Sequence, residues 1–570
     1  MTPLRLPRLR WPAFREEQIF LALTVIVGVI AGLSAVLFSL AIDEVRRVLF
    51  GPEPSLLRYL LVPALVSLVV GVLLATFFTE VRGSGVPQTK AAFHLNQGVM
   101  PAHVPFGKFL TGALCIGAGH SLGREGPSVQ IGAGLASNIG RWLRLSPERV
   151  QSLVPVGAAG ALSAAFNTPV AAVLFALEEI IGNLNAELLG STVLASVASV
   201  VVMRSILGNE PLFSVPPYEL IHPAELLAYA ALGIIGGLIS LLFCKSLLRL
   251  RASFKRMPSW TVPLQPMIGG LAIGLILVFM PQVMGVGYEY VDQALNDGLP
   301  FTMLVLLCFV KLVATVISYA SGNAGGVFAP SLFLGAMVGG AVGYGVQQIG
   351  AFPVGNPGAY ALVGMGALFA GIIRAPMTSV FMIFEITQDY QIIVPLIVAN
   401  MLSFLISRRY QKVPVYHALL QQDDVHLPAG VDRTAGKAWL ARDIMARAPS
   451  FIAATSTIED AAAVFARSYR RSYLIGSADR LVGLVTRDAI DSAIRAQKGS
   501  EPVVSVSLGD WPFVYPDHPL ELTLERLRRG PGTLPVLSRR SAHRVEGVIT
   551  HDTVMTFLGQ HPSAAPWGEG

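Results

Sequence analysis

Charge is scarce in this chain. Only 14% of its 570 residues are Asp, Glu, Lys or Arg, about half the share of an ordinary globular protein. Between Leu312 and Ile373, 62 consecutive residues carry none, whereas a membrane-crossing helix needs only roughly 20 apolar residues. A His-Glu-x-x-His pair, the metal-and-base motif of zinc proteases, is missing, which excludes that kind of intramembrane enzyme; no enzymatic activity is expected. Cysteine is limited to Cys115, Cys244 and Cys308. All three stand in apolar surroundings without metal-type spacing, so they read as packing thiols. A cleavable signal is not expected either: the apolar run Ile19–Ile42 is too long for a signal core and has no obvious cleavage site. Arg5, Arg8, Arg10 and Arg15 precede it, so a cytoplasmic N-terminus is expected from the positive-inside rule. The net charge of +6 then reflects cytoplasmic flanks of membrane helices, and nucleic acid is not an expected partner.

What the chain does have is apolar residues, 53% of the total, together with 56 glycines and 38 prolines. Apolar segments recur to about Ile406, among them Tyr59–Phe78, Phe109–Ala118, Val150–Leu177, Leu226–Cys244 and Ile392–Ile406. Several are too short for a full span and several are cut by Gly or Pro. Many tilted or half-crossing helices are expected, not a simple bundle. Lipid cannot hydrogen-bond loose backbone, so broken helices at membrane depth must be buried in protein or line a cavity.

The two halves of this region resemble each other. Gly157, Pro169, Val173 and Glu178 match Gly364, Pro376, Val380 and Glu385 at an offset of 207, and Pro127, Gly132 and Ala133 match Pro330, Gly335 and Ala336 at an offset of 203. Matching interruptions in two halves point to a transporter whose site lies between repeats.

Three segments share one form, glycines followed by proline near the start of an apolar helical stretch: Gly83-Ser84-Gly85-Val86-Pro87, Gly123-Arg124-Glu125-Gly126-Pro127 and Gly325-Gly326-Val327-Phe328-Ala329-Pro330. Proline suits the first helical turn, where its missing N–H would be unpaired anyway. Helix N-termini carry free N–H groups and roughly +0.5 charge. Several aimed at one point make an anion site, without a full cationic charge that would hold the ion too tightly to release it. A hard-cation site would instead need several carboxylates. Ser84 and Tyr416 can add hydroxyl donors. Glu125, a carboxylate among anion-attracting helix ends, competes with the anion for the same field: charged, it blocks the path; protonated, it can swing away. Glu178 has a mate in Glu385 and reads as structural, whereas Glu179 faces Ile386 in the alignment of halves and reads as functional.

In these motifs the sequence resembles the CLC family of chloride channels and chloride/proton exchangers over roughly residues 20–420. The resemblance implies an all-α polytopic membrane domain built as an inverted repeat of tilted and broken helices, acting as a homodimer with one anion path per subunit. It implies that Ser84 and Tyr416 coordinate a central chloride, that the backbone N–H groups of Val327 and Phe328 complete that site, and that Gly85 and the backbone of Arg124–Gly126 also serve the anion path, with Arg124 shaping the field. It implies Glu125 as the gating glutamate and Glu179 as the internal proton-transfer glutamate of exchangers, so chloride/proton antiport is expected, with a passive chloride channel as the alternative. Chloride, protons and the lipid of a cell membrane are the partners. Gln88 departs from the glutamate that relatives often carry after the first motif.

Beyond Gln421 the composition is that of a soluble domain. Two similar units, each ending in an apolar strand, a threonine and a short helical pattern (Leu481–Thr486-Arg-Asp and Val545–Thr550-His-Asp), resemble a tandem pair of CBS domains, a small α/β module that implies a small regulatory ligand. Asp488 and Asp552 stand one place early for the Thr-x-x-Asp of nucleotide-binding members, and no resident cofactor is expected. The expected layout is a cytoplasmic segment 1–17, a membrane domain 18–420 with repeats at about 19–205 and 222–406, a linker 421–440, a cytoplasmic CBS pair 441–560 (about 441–497 and 503–560) and a tail 561–570.

Overall fold

A computed structural model describes residues 16–182, 186–209, 212–213, 215, 218, 221–350, 353–427, 439–447, 449–509, 511–538 and 541–560. The expected segment 1–17, apart from its last two positions, the tail 561–570 and most of the linker lie outside the described residues. The chain divides into two compact units, Met1–Leu427 and Pro428–Gly570.

The first unit is helical. Its first half contains α1 (Glu16–Phe50), α2 (Leu56–Thr76), α3 (Val86–Leu95), α4 (His103–Gly117), α5 (Glu125–Trp142), α6 (Pro147–Phe166), α7 (Pro169–Phe175, continued by a π-helical turn Ala176–Ile181) and α8 (Ala186–Leu207). Its second half contains α9 (Glu225–Lys255), α10 (Gln265–Phe279), α11 (Tyr288–Leu295), α12 (Phe301–Ala320), α13 (Phe328–Ile349), α14 (Pro357–Ile373), α15 (Pro376–Thr387) and α16 (Ile393–Tyr410). A short α17 (Val415–Gln422) follows. Among the described residues seven helices are long and apolar enough to cross a membrane, while α10, α14 and α15 are apolar but shorter.

The halves correspond helix for helix, and their packing repeats in detail. In the first half, a Cβ added to Gly132 would meet the Gly157 carbonyl oxygen at 2.3 Å, and one on Gly157 would meet the Gly132 carbonyl at 2.3 Å. Gly335 and Gly364 repeat this at 2.3 and 2.2 Å. Glycine lets α5 press on α6, and α13 on α14, backbone to backbone, which is how helices gain van der Waals contact where lipid offers no hydrophobic drive. The apolar run Val150–Leu177 is not one helix: α6 ends at Asn167, which takes the left-handed conformation at φ 59°, and α7 restarts at Pro169. Arg374, 207 residues on, ends α14 in the same way at φ 68°.

Two buried lysines also repeat. Lys108 on α4 donates to the carbonyls of Val81 and Gly83, at 2.7 and 2.6 Å. Lys311 on α12 donates to those of Val283 and Gly285, at 3.1 and 2.7 Å. Each ammonium ties down the loop that leads into a short helix, α3 or α11. Cys115, read as a packing thiol, is buried but joins a polar cluster, with its Sγ 3.4 Å from Asn323 Oδ1. The same oxygen accepts from Ser67, which bonds His120 at 2.6 Å.

The second unit is α/β. In it α18 (Ala441–Ile444) precedes β1 (Phe451–Ile452), α19 (Ile458–Ala466), β2 (Ser472–Gly476), β3 (Leu481–Thr486) and α20 (Arg487–Arg495). Then come α21 (Leu520–Arg529), β4 (Thr533–Ser538), β5 (Ser541–Thr550) and α22 (His551–Gln560). β1 runs parallel to β2, which pairs antiparallel with β3; β4 and β5 form a second antiparallel pair. The parallel partner of β4 is reduced to a Val514–Val536 bridge. The two sub-units exchange segments: Ala441 and Ile444 pack in the core of the second, and Val503 in that of the first.

Candidate functional site

The three glycine-proline segments fold as loops that feed helix N-termini, and backbone hydrogen bonds stitch them together. Gly123 and Gly326 exchange N–H···O bonds of 2.7 and 2.8 Å as an antiparallel bridge, and the Gly325 N–H donates to the Gly83 carbonyl at 3.2 Å. The first loop thus meets the third, and the second meets the third in opposite chain directions. Glu125 opens α5, Val86 opens α3 and Phe328 opens α13, so N–H groups without intrahelical partners gather at one place.

Ser84 lies in this junction, fully buried, and its Oγ has no hydrogen-bond partner. A Cβ added to Gly126 would come within 2.5 Å of that Oγ and 3.3 Å of the Gly326 Cα, so glycine at 126 is what lets the second loop reach the first. Tyr416, on the first turn of α17, is also fully buried with an unpartnered hydroxyl, and it faces Ser84. Two buried hydroxyls that have at most each other for a partner among the described residues are costly unless a ligand takes them up. Val327 caps α13, and Phe328 behind it packs its ring on Phe166, Phe175 and Phe369 at centroid distances of 4.9, 5.6 and 4.4 Å. These rings form a dry apolar wall.

Gly85 caps α3 at φ 104°, a conformation open to glycine, and its N–H donates to Gln88 Oε1 at 2.9 Å. The other end of that amide donates to the Arg82 carbonyl at 2.9 Å. Gln88 therefore accepts and donates at once, which an ionised glutamate could not do; this is the physical reason for the departure noted in the sequence. Gln88 also lines a cavity of about 530 Å³ with Arg82, Gln130, Arg251 and Asp423.

The two functional glutamates read from the sequence occupy different settings. Glu125 is fully buried; its Oε1 accepts from the Tyr288 hydroxyl at 2.5 Å. Its Oε2 points at Gly123 beside the Ala329 N–H. Arg124 does not turn its guanidinium to the junction: it bonds the Ser39 hydroxyl and lies over the Tyr288 ring, 5.7 Å from the centroid. Glu179 sits in the π-helical turn after α7, paired with Lys90 Nζ at 3.1 Å, with side-chain exposures of 6% and 4%. The wider helical turn separates the two adjacent carboxylates, because Glu178 turns to α15, where it accepts from the backbone N–H and hydroxyl of Thr378, both at 2.9 Å. Tyr416 is within electrostatic reach of both Glu179 and Glu125.

The sequence reading missed Tyr288, Lys90 and Tyr319, whose hydroxyl lies against the Ser84 backbone. For Tyr288 a signal existed: Gly285-Val286-Gly287 repeats the Gly-x-Gly of Gly83–Gly85 at an offset of 202.

A polytopic helical unit whose interrupted helices converge on a buried, electropositive junction, followed by a small α/β unit, defines an ion-transport architecture. The sequence profile described as voltage gated chloride channel matches residues 66–408, and that of the CBS domain matches 441–496. The chain belongs to the voltage-gated chloride channel family. It is 33% identical over 437 residues to chloride channel protein CLC-e of Arabidopsis thaliana, which covers 70% of this chain and 61% of that protein. It is 30% identical over 417 residues to the H(+)/Cl(-) exchange transporter ClcA of Vibrio campbellii, covering 70% of this chain and 89% of that one. Among solved structures, a slow cyanobacterial Cl-/H+ antiporter matches with 27% identity and a TM-score of 0.65, over 71% of this chain and 97% of the other. A eukaryotic CLC transporter shares the fold over 94% of this chain and 98% of its own, at 20% identity and a TM-score of 0.62.

Proposed function

We propose that this chain exchanges chloride for protons across a membrane, with Glu125 as the gate. One observation carries the reading: the unpartnered hydroxyls of Ser84 and Tyr416 are buried at the junction of helix N-termini beside a buried carboxylate. Donors without acceptors are what a dehydrated anion needs, and the helix ends add attraction without a fixed counter-charge. Ser84, Tyr416 and the N–H groups of Val327 and Phe328 hold chloride. Gly85 and the Arg124–Gly126 backbone form the approach.

Glu125 and chloride compete for the same donors. The charged carboxylate occupies the junction and closes it. A proton removes its attraction, and the side chain leaves as chloride enters, so one movement serves both ions. Glu179 is the second proton station, reached from the opposite side. The names of the Vibrio relative and the cyanobacterial antiporter support exchange over passive flow. By the family resemblance the unit acts as a homodimer in the cell membrane, with the CBS pair in the cytoplasm.

One observation favours the second reading, passive chloride conduction. The Lys90 ammonium pairs Glu179 in a buried setting, and a carboxylate already neutralised by a fixed counter-charge is less available to carry a transported proton. Reconstituted in liposomes, an exchanger moves protons uphill when a chloride gradient is imposed. Chloride flux without any such proton movement would overturn the proposal in favour of the channel. Glu125→Gln is expected to abolish proton coupling and flatten the pH dependence of chloride flux.

A further inference from the structure

The two repeats place different chemistry at one equivalent position. Gly83-Ser84-Gly85-Val86 and Gly285-Val286-Gly287-Tyr288 align at an offset of 202. The alignment is structural as well: Lys108 grips the Val81 and Gly83 carbonyls, and Lys311 grips those of Val283 and Gly285. In the first half the loop contributes the Ser84 hydroxyl to the junction, and the helix begins with Val86. In the second half valine stands in the serine's place, and the helix begins with a tyrosine.

That tyrosine reaches the gate. Tyr288 Oη donates to Glu125 Oε1 at 2.5 Å. Its ring is fixed from two sides, by the Arg124 guanidinium at 5.7 Å from the centroid and by Phe213, edge-on at 5.3 Å. Behind it, Lys311 and Arg46 stand at the Gly285–Gly287 loop. The hydroxyl is therefore a preset donor aimed at one carboxylate oxygen, and such a bond to an ionised carboxylate is roughly twice as strong as one to a neutral group.

We propose that Tyr288 is a positioning residue that latches the charged Glu125 carboxylate across the anion path and releases it when the carboxylate takes up a proton. The inference rests on the reading of Glu125 as the gate. A hydroxyl donor at this place discriminates between the two protonation states, because the neutral carboxyl is a weaker acceptor and carries its own proton to donate. Among the described residues, the groups that act on Glu125 are Arg124 beside it, Tyr288 on α11 and the Ala329 N–H at the start of α13, with Tyr416 on α17 within electrostatic reach. The Arg124 guanidinium bonds Ser39, so it does not fix the direction of the carboxylate. Tyr288 supplies the direction.

The test is chloride flux against pH in liposomes for four proteins: wild type, Tyr288→Phe, Glu125→Gln and the double substitution. With the donor removed, less acid is needed to release the gate, so the half-activation pH of Tyr288→Phe is expected to rise by about one unit, roughly tenfold in proton concentration. Replacing Tyr288 with 3-fluorotyrosine, a stronger donor of the same shape, is expected to move it down. In the Glu125→Gln background Tyr288→Phe is expected to change nothing further. A Tyr288→Phe curve that overlies the wild type, in protein with unchanged elution and melting, would overturn the latch, as would an equal shift in the Glu125→Gln background. A pH dependence that survives Glu125→Gln would instead remove the gate reading itself. Should Tyr288→Phe fail to fold, the fluorotyrosine protein decides: no shift sinks the latch.

Discussion

Glu178 and Glu385 cap each other's half of the molecule. The Glu178 carboxylate, in the π-helical turn that continues α7, accepts from the Met377 and Thr378 N–H groups at the start of α15, at 3.4 and 2.9 Å. The Glu385 carboxylate, near the end of α15, accepts from the Val170 and Ala171 N–H groups at the start of α7, at 2.9 and 2.8 Å. Each acid thus satisfies orphan donors and complements the positive end of the other half's helix.

Removing either cap should therefore loosen the junction between the halves. Glu178→Ala and Glu385→Ala are each expected to cost about 1–3 kcal/mol, read as a lower melting temperature in detergent. Because the two caps bridge the same pair of helices, the double substitution should depart from additivity. Unchanged melting in both single variants would show that the caps are ornamental.

The glycine pairs give a sharper test of backbone packing. Gly335→Ala on α13 puts a Cβ 2.3 Å from the Gly364 carbonyl, so the helices must part, at a cost of about 1–3 kcal/mol. Gly345→Ala, on the same helix with nothing within 4 Å, should be neutral or slightly stabilising, since alanine has the better helix propensity. Equal melting shifts for both would contradict a backbone-to-backbone contact between α13 and α14.

How much of the molecule is legible in the sequence depends on what each feature demands of the backbone. The Gly-x-x-Gly-Pro and Gly-Gly-x-x-x-Pro loops can be read because close approach and helix starts restrict residue type. Their convergence can be argued from charge, and Glu178 can be read as structural from its mate in the repeat. The break at Asn167 gives a weaker sign, because asparagine enters the left-handed region far less uniquely than glycine. The Lys90–Glu179 pair is not legible: 89 residues separate its partners, and only packing brings them together. The same holds for Ala441 and Ile444, which serve the core of the sub-unit farther along the chain.

If the junction holds chloride, its two hydroxyls should set affinity. Ser84→Ala and Tyr416→Phe each remove one donor to a charged ligand, worth about 1.5 kcal/mol or more, or roughly tenfold in Kd. Isothermal titration of chloride into purified protein checks this. Affinity within twofold of wild type in both variants would place the anion elsewhere.

In the α/β unit, Thr457 and Asp460 cap α19 reciprocally. Asp460 accepts from the Thr457 N–H and hydroxyl, at 3.0 and 2.9 Å, and these bonds hold its carboxyl below the usual aspartate value. A depressed folded-state value means that the contribution is complete above the unfolded value near 3.9 and is lost as pH falls through the folded one. Asp460→Asn should therefore differ from wild type at neutral pH and converge on it in strong acid, as monitored by amide exchange in α19. A difference that persists undiminished below about pH 2 would refute the capping role.

Lys90 and Glu179 allow structure and transport to be separated. Both side chains are almost wholly buried, so losing one partner strands a charge in a poorly solvated place, at a cost of about 3–5 kcal/mol. Lys90→Met and Glu179→Gln should each lower the melting temperature. The double variant, which leaves two neutral groups of similar size, should recover most of that loss, because a buried ion pair is worth little over a well-packed neutral one. The proton readout then divides the roles. Were Glu179 merely a counter-ion for Lys90, the double variant would regain chloride-driven proton movement together with its stability. As a proton station, Glu179 cannot be replaced by an amide that has no titratable group, so the double variant should be stable, conduct chloride and move no protons.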